Sequence, residues 1–266
     1  MKKVSLVLAL GLVVTFAMAQ KTTWITQSGN GNLADVTQIL GSDAAPNSIY
    51  ATQSGDLNTL NTEQRGVTNY IELVQSGDEN TANMDQFTSA TGITNTAVVV
   101  QSGAWNKANL TQKEDPLVGL DNSKNKATAT QSGTQNSYVL KQGGEEWGTT
   151  NEQYLNQSGA SNKADVSQIG YTDYSEINQS ANWNKAKLNQ TAGQGGVGTA
   201  TSNSWQTAAS NMLDILQQYD SGKLQANSVQ NGAGNTTNIE QQSNNILNVV
   251  SQQLGSDIIN VKQIGF

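Results

Sequence analysis

The chain has 266 residues, a formal net charge of −7, no His, no Cys and only 13% charged residues, set against 31 Asn and 28 Gln. The missing imidazoles and thiols exclude His-based acid–base chemistry, cysteine nucleophiles, His/Cys metal sites and stabilising disulfides. The acidic balance argues against a nucleic-acid partner, and the amide excess points to stacked-amide ladders or a polar low-complexity tract.

Lys2 and Lys3 precede an apolar run from Val4 to Phe16, followed by Ala17-Met18-Ala19. A positive n-region, an apolar core and an A-x-A site read as a secretory signal peptide over 1–19. The run is short for a bilayer span of about 20 residues. Cleavage after Ala19 removes two lysines and takes the charge from −7 to −9. The mature chain, 20–266, is expected to be secreted.

From there one unit repeats to the end. Residues 27–38 (QSGNGNLADVTQ), 75–86 (QSGDENTANMDQ), 101–112 (QSGAWNKANLTQ) and 157–168 (QSGASNKADVSQ) all fit Q-S-G-x-x-N-x-A-x-x-x-Q. Looser copies start at Gln53, Gln131, Gln179, Gln206, Gln230 and Gln252. Inside the repeat sits a smaller unit: Asn, five residues, then Gln. Its Asn set is Asn32, Asn47, Asn58, Asn69, Asn80, Asn95, Asn106, Asn125, Asn136, Asn151, Asn162 and Asn184. Its Gln set is Gln27, Gln38, Gln53, Gln64, Gln75, Gln86, Gln101, Gln112, Gln131, Gln142, Gln157, Gln168, Gln179 and Gln190. Further on the unit loosens to Asp173/Gln179, Asn211/Gln217, Asn235/Gln241 and Asp257/Gln263.

Seven residues suit a strand better than a helix. Within each unit the alternation has period 2: Asn32, Ala34, Val36 and Gln38 share one face, as do Asn106, Ala108, Leu110 and Gln112. The opposite face, with Asp35, Thr37, Lys107 and Thr111, is polar. This is a half-buried strand. Alternate gaps are four-residue turns carrying Gly29, Gly55, Gly77, Gly103, Gly133 or Gly159, where glycine supplies backbone conformations that other residues enter only at a cost. The remaining gaps vary from Arg65–Thr68 to Lys113–Lys124, as expected of loops on one edge of a solenoid.

Two such strands alone are marginal in water. Stacked in parallel at about 4.8 Å, they place Asn over Asn and Gln over Gln. Each amide, with its donor and acceptor, then satisfies the next. The expected fold is all-β: a β-solenoid of about ten strand–turn–strand rungs forming two stacked parallel sheets, cross-β and amyloid-like. Irregularity is expected near 113–124 and 191–223, where residues 211–219 also suit a short amphipathic helix capped by Ser210. The pattern begins close to Ala19 and ends on 257–263 with no distinct cap, so each end is expected to recruit another strand and build an open filament.

The repeat at 27–38, 75–86, 101–112 and 157–168 closely resembles the curlin repeat. The resemblance implies a secreted subunit of curli, the functional amyloid fibres of bacterial biofilm matrix, serving adhesion and cohesion. It also implies interior ladders at Gln27, Asn32, Gln38 and their equivalents, export through an outer-membrane secretion pore, and a nucleator subunit as partner. Asn stands here where better-known curlins begin a strand with Ser, the repeats are more numerous, and several carry long loops.

Other readings have less support. A β-helix enzyme needs clustered charges on one face, yet carboxylates are scattered and Arg65 is the only arginine. Glu114, Asp115 and Asp121 share a loop that reads as a weak Ca²⁺ site or, more simply, a solvated loop; no metal or cofactor is expected. An ice- or ligand-binding solenoid needs a regular outward row, and none persists. Trp105 and Trp183 occupy the same turn position, suited to stacking on sugars or on a neighbouring fibre, or to local packing.

Overall fold

The structure is a computed structural model. It describes the chain apart from residues 1–20, 41–45, 67, 89–93, 114–123, 144–149, 169, 171, 193–197, 220–221, 244–246 and 265–266. The leader over 1–19 and the loop carrying Glu114, Asp115 and Asp121 therefore lie outside the described residues.

The described residues are all β, with no helix. The strands are β1 (Lys21–Ser28), β2 (Leu33–Leu40), β3 (Asn47–Ser54), β4 (Thr59–Gly66), β5 (Asn69–Ser76), β6 (Thr81–Phe87) and β7 (Thr94–Ala104). Next come β8 (Lys107–Lys113), β9 (Lys124–Thr134), β10 (Ser137–Gln142), β11 (Thr150–Gln157), β12 (Lys163–Gln168), β13 (Asp173–Gln179) and β14 (Lys185–Ala192). The last are β15 (Gly198–Gln206), β16 (Met212–Tyr219), β17 (Gly222–Gln230), β18 (Thr236–Ser243), β19 (Leu247–Gln253) and β20 (Ile258–Gln263). Odd strands form one ten-stranded sheet and even strands a second, each in chain order. All pairings are parallel, so each strand–turn–strand pair is one rung of a β-solenoid.

Register is set by the inward residues. Gln27 pairs with Gln53, Gln53 with Gln75, Gln75 with Gln101 and Gln101 with Gln131, although the sequence steps are 26, 22, 26 and 30 residues. A one-residue slip would turn every inward side chain to solvent. Loops absorb the length differences, and the ladder keeps its phase.

Between the two sheets lies a thin core two apolar positions wide per strand. Large and small residues alternate across it. Ala127 and Ala129 of β9 share a rung with Tyr138 and Leu140 of β10; Ile71 and Leu73 of β5 share one with Ala82 and Met84 of β6. Pairing large with small residues across the core fills the space between the sheets, as close packing requires. In the first rung, Ile25, Ala34 and Val36 are only partly buried because one side has no neighbouring strand among the described residues.

Of the candidate helix 211–219, residues Met212–Tyr219 form strand β16 in register with β14 and β18. Leu213 and Ile215 are buried in the shared core, and Gln217 continues the inward row. Tertiary pairing overrides the weak helical periodicity. Residues 200–206 likewise pair with 173–179, so the described strands on either side of 207–211 keep the solenoid register.

The late rungs differ chemically. Ser204, Ser228 and Ser251 stack in the column occupied earlier by Leu73, Val99, Leu155 and Ile177. Each serine is buried, and each hydroxyl lacks a hydrogen-bond partner. A buried orphan hydroxyl costs on the order of 1–3 kcal/mol. Ser228→Ala is therefore expected to raise stability by about 1 kcal/mol, read as a higher denaturant midpoint; a lowered midpoint would show that the hydroxyl is satisfied.

Candidate functional site: the amide ladders and stacked turns

Two kinds of amide run along the solenoid, and they bond differently. In the odd sheet, Gln27, Gln53, Gln75, Gln101, Gln131, Gln157 and Gln179 form one ladder, continued by Gln206, Gln230 and Gln253. Each Nε2 donates to the next Oε1 at 2.6–2.9 Å. The second amide hydrogen crosses to the facing sheet: Gln53 donates to the Leu33 carbonyl at 3.1 Å and Gln75 to that of Thr59 at 3.1 Å. The row thus joins successive rungs and also ties the two sheets together. Away from the first rung these side chains are fully buried, which only complete satisfaction makes tolerable.

The last repeat copy corrects the sequence register. Gln253, not Gln252, stands over Gln230. Val249 and Ser251 already face inward, so period-2 alternation sends Gln252 to solvent and Gln253 into the ladder.

In the even sheet, Gln38 donates to Gln64, Gln64 to Gln86, Gln86 to Gln112 and Gln112 to Gln142, at 2.8–2.9 Å. Beyond this the direction reverses: Gln190 donates to Gln168 at 2.7 Å and Gln217 to Gln190 at 2.8 Å. Among the described residues no hydrogen bond joins Gln142 to Gln168, whose Nε2 groups bond instead to the Lys126 and Glu152 carbonyls. The Asn row of the odd sheet breaks between the same two rungs. Asn69 donates its backbone N–H to Asn47, Asn95 its amide to Asn69 and Asn125 its amide to Asn95, whereas Asn151 donates onward to Asp173. The Oδ1 of Asn125 is left without a partner. The even-sheet glutamines thus run as two five-rung blocks, and the Asn row on the same loop-side edge is interrupted at the same place.

The even-sheet asparagines clamp the turns. Asn58, Asn80, Asn106 and Asn136 each donate Nδ2 to the Ser carbonyl four residues back, at 2.8–3.1 Å. Each also donates to the Gly carbonyl of the next turn, at 2.7–3.1 Å. Their Oδ1 atoms accept the backbone N–H of the next Asn: Asn80 on Asn58, Asn106 on Asn80, Asn162 on Asn136 and Asn184 on Asn162, at 3.0–3.1 Å. Asn32 begins the series on Ser28 and Gly55. These Asn amides tie successive turn backbones together, while the longer Gln links side chain to side chain along its row and reaches backbone in the facing sheet. The simple amide-on-amide picture omits this role, though the fixed Ser-Gly-x-x-Asn spacing carries its signal.

Gly29, Gly55, Gly77, Gly103, Gly133 and Gly159 all have positive φ, between 90° and 105°. At Gly77 a Cβ would lie 2.1 Å from the Gly103 carbonyl oxygen, the acceptor for Asn80. The residue before each even-sheet Asn is also left-handed, with no glycine from the second rung to the eighth: Leu57, Glu79, Trp105, Gln135, Ser161, Trp183 and Ser210 have φ of 56–60°. Composition gives no hint of this, because only the turn-to-turn hydrogen bonds impose it, as in Trp105 N–H to the Asp78 carbonyl at 3.1 Å. Ser210→Gly removes a left-handed penalty of about 1 kcal/mol, and a higher denaturant midpoint is expected. Trp105 and Trp183 sit at these positions 53% and 64% exposed, so their rings add little to the core.

No curated protein matches the chain. The family model described as the curlin associated repeat matches residues 55–87. That segment runs from the Gly55 turn through β4, β5 and β6, and the same parallel strand–turn–strand stacking continues through the other rungs. The chain thus carries the curlin associated repeat at residues 55–87, within a solenoid built of like rungs, which is consistent with the curlin-repeat family.

Proposed function

We propose that this chain is a secreted structural subunit that self-assembles by templated strand addition into extracellular, curli-like amyloid fibres for cell adhesion and biofilm matrix. The observation that carries this reading is the in-register stacking of like rungs whose outermost strands keep an unpaired side among the described residues. Gln27, Asn32, Val36 and Gln38 are half-buried there, while their equivalents Gln53, Asn58, Thr62 and Gln64 are buried. A further rung would complete that burial. Exposed parallel edges of this kind recruit strands.

On this reading the partner at each end is another copy of the chain, and export through an outer-membrane pore and start-up by a nucleator subunit fit the same family.

The test uses residues 20–266 released from denaturant, followed by thioflavin fluorescence and fibre diffraction. Seed-accelerated growth and a meridional reflection at about 4.7–4.8 Å are expected. A β-rich monomer that never polymerises would overturn the proposal and favour a ligand-binding solenoid.

A further inference from the structure

The two outer faces of the solenoid are chemically unlike. Each strand turns three side chains outward between its Asn-type and Gln-type positions, giving thirty per sheet. On the even sheet twelve of these are charged and none is aromatic; Asp35, Asp85, Lys107 and Asp165 are typical. On the odd sheet only Glu72, Lys126, Glu152 and Glu176 are charged. Six are aromatic: Trp24, Tyr50, Tyr70, Tyr154, Tyr174 and Trp205. Charge that keeps sheets apart is therefore concentrated on one side.

The odd-sheet charges are also tied up within their own face. Tyr70 donates its hydroxyl to Glu72 at 2.9 Å, Tyr154 to Glu152 at 3.1 Å and Tyr174 to Glu176 at 2.9 Å. Asn203 adds a bond to Glu176 at 3.2 Å. Lys126 reaches the Tyr154 hydroxyl at 3.2 Å and lies 5.1 Å from its ring centre. Partial burial and the Glu176 carboxylate push the Tyr174 hydroxyl up to about 12, so it stays a donor. Tyr50 packs on Tyr70 with centroids 5.9 Å apart, and Tyr154 on Tyr174 at 5.8 Å. Between these pairs Val98, Val100, Thr128 and Thr130 make a flat strip of short side chains. Charges already hydrogen-bonded in the plane lose less when water leaves.

We infer that the odd-sheet outer face is an interface that docks a second copy of this chain face to face, leaving the charged even sheets in water. The inference rests on the fibre reading for its extended form. Area supports a copy as occupant. Ten rungs at about 4.8 Å by six residues at about 3.3 Å give roughly 950 Å², against about 800 Å² per partner in a standard interface. The same flat, charge-poor face on both partners suits a two-fold, isologous contact. A sugar ligand would call for carboxylates free to accept its hydroxyls, and here all three are engaged by neighbouring tyrosines.

The test is mass per length of the fibres by scanning transmission electron microscopy, with sedimentation of any soluble folded chain alongside. Two chains per ten-rung rise, about 48 Å, are expected for the natural sequence. The pair Val98→Lys and Thr128→Lys should bring this to one chain, a twofold drop, with the rung reflection and seeding retained. Asn109→Lys with Thr111→Lys on the even face should leave two. If the chain forms no fibres, the fibre reading fails while a soluble dimer that the Val98/Thr128 pair converts to monomer still supports the interface. Single fibres or a monomer from the natural sequence would overturn it, as would single fibres that hold an insoluble polysaccharide through this face.

Discussion

Gly103→Ala is expected to cost more than about 3 kcal/mol and to stop rung stacking at the fourth turn. Two effects coincide there. Gly103 has φ of 98°, a region that L-residues rarely enter, and a Cβ on it would lie 2.0 Å from the Gly133 carbonyl oxygen. That oxygen cannot retreat freely, because it accepts the Asn106 amide at 3.0 Å and so belongs to the turn clamp. Relief by movement therefore breaks the clamp as well as the van der Waals contact. Gly234→Ala separates the two effects: φ is 74°, but the nearest atom to its Cβ is the Ser256 hydroxyl at 3.6 Å. Only the backbone penalty of about 1–2 kcal/mol applies there. Denaturant midpoints and seeded growth rates of both variants decide the matter. Equal losses at the two glycines would show that conformation alone, and not the carbonyl of the next turn, demands glycine at Gly103.

The layout of the fold was open to sequence reasoning because each rung repeats one short period-2 pattern. Asn106, Ala108, Leu110 and Gln112 announce a strand face, and the glycine turns announce its partner. Stacking then follows from the need to satisfy buried amides. What stayed hidden depends on contacts between rungs. The left-handed conformation at Glu79 and Trp105 leaves no mark in residue type, since the turn ladder imposes it. Asn80 looked like a rung of an amide stack, yet its Nδ2 serves Ser76 and Gly103 carbonyls as well as Asn58. The two-faced surface was also obscured. Read strand by strand, no outward row persists; only after odd and even strands are separated do Tyr50, Tyr70, Tyr154 and Tyr174 fall on one side. Gln252 reads as the start of the last copy because its neighbour is also Gln, and the facing of Val249 and Ser251 moves the register to Gln253.

Replacing Asn80, Gln86, Asn106 and Gln112 together by Ala is expected to slow seeded growth at least about tenfold and to lower stability by several kcal/mol. Gln86 and Gln112 lie on the inward face of β6 and β8, Asn80 and Asn106 stand immediately before those strands, and all four are buried. Gln86 accepts from Gln64 and donates to Gln112, which donates on to Gln142. Removing the pair strands the amides of Gln64 and Gln142 inside the core. Each unsatisfied buried group costs about 1–3 kcal/mol, beyond the cavity left by the missing side chains. Loss of Asn80 and Asn106 also removes the amide bonds to the Gly103 and Gly133 carbonyls, so the turns lose their clamps. The outward amides of the same strands provide the control. Asn61 donates to Asn83 at 2.8 Å and Asn83 to Asn109 at 2.7 Å, a ladder of the same chemistry on the solvated face. Water replaces those bonds when they are cut, so Asn83→Ala with Asn109→Ala should shift stability by no more than about 1 kcal/mol. If the inward and outward substitutions slow growth alike, burial is not what gives the ladders their strength. If the inward set leaves growth unchanged, strand addition is driven by the backbone and the apolar residues alone.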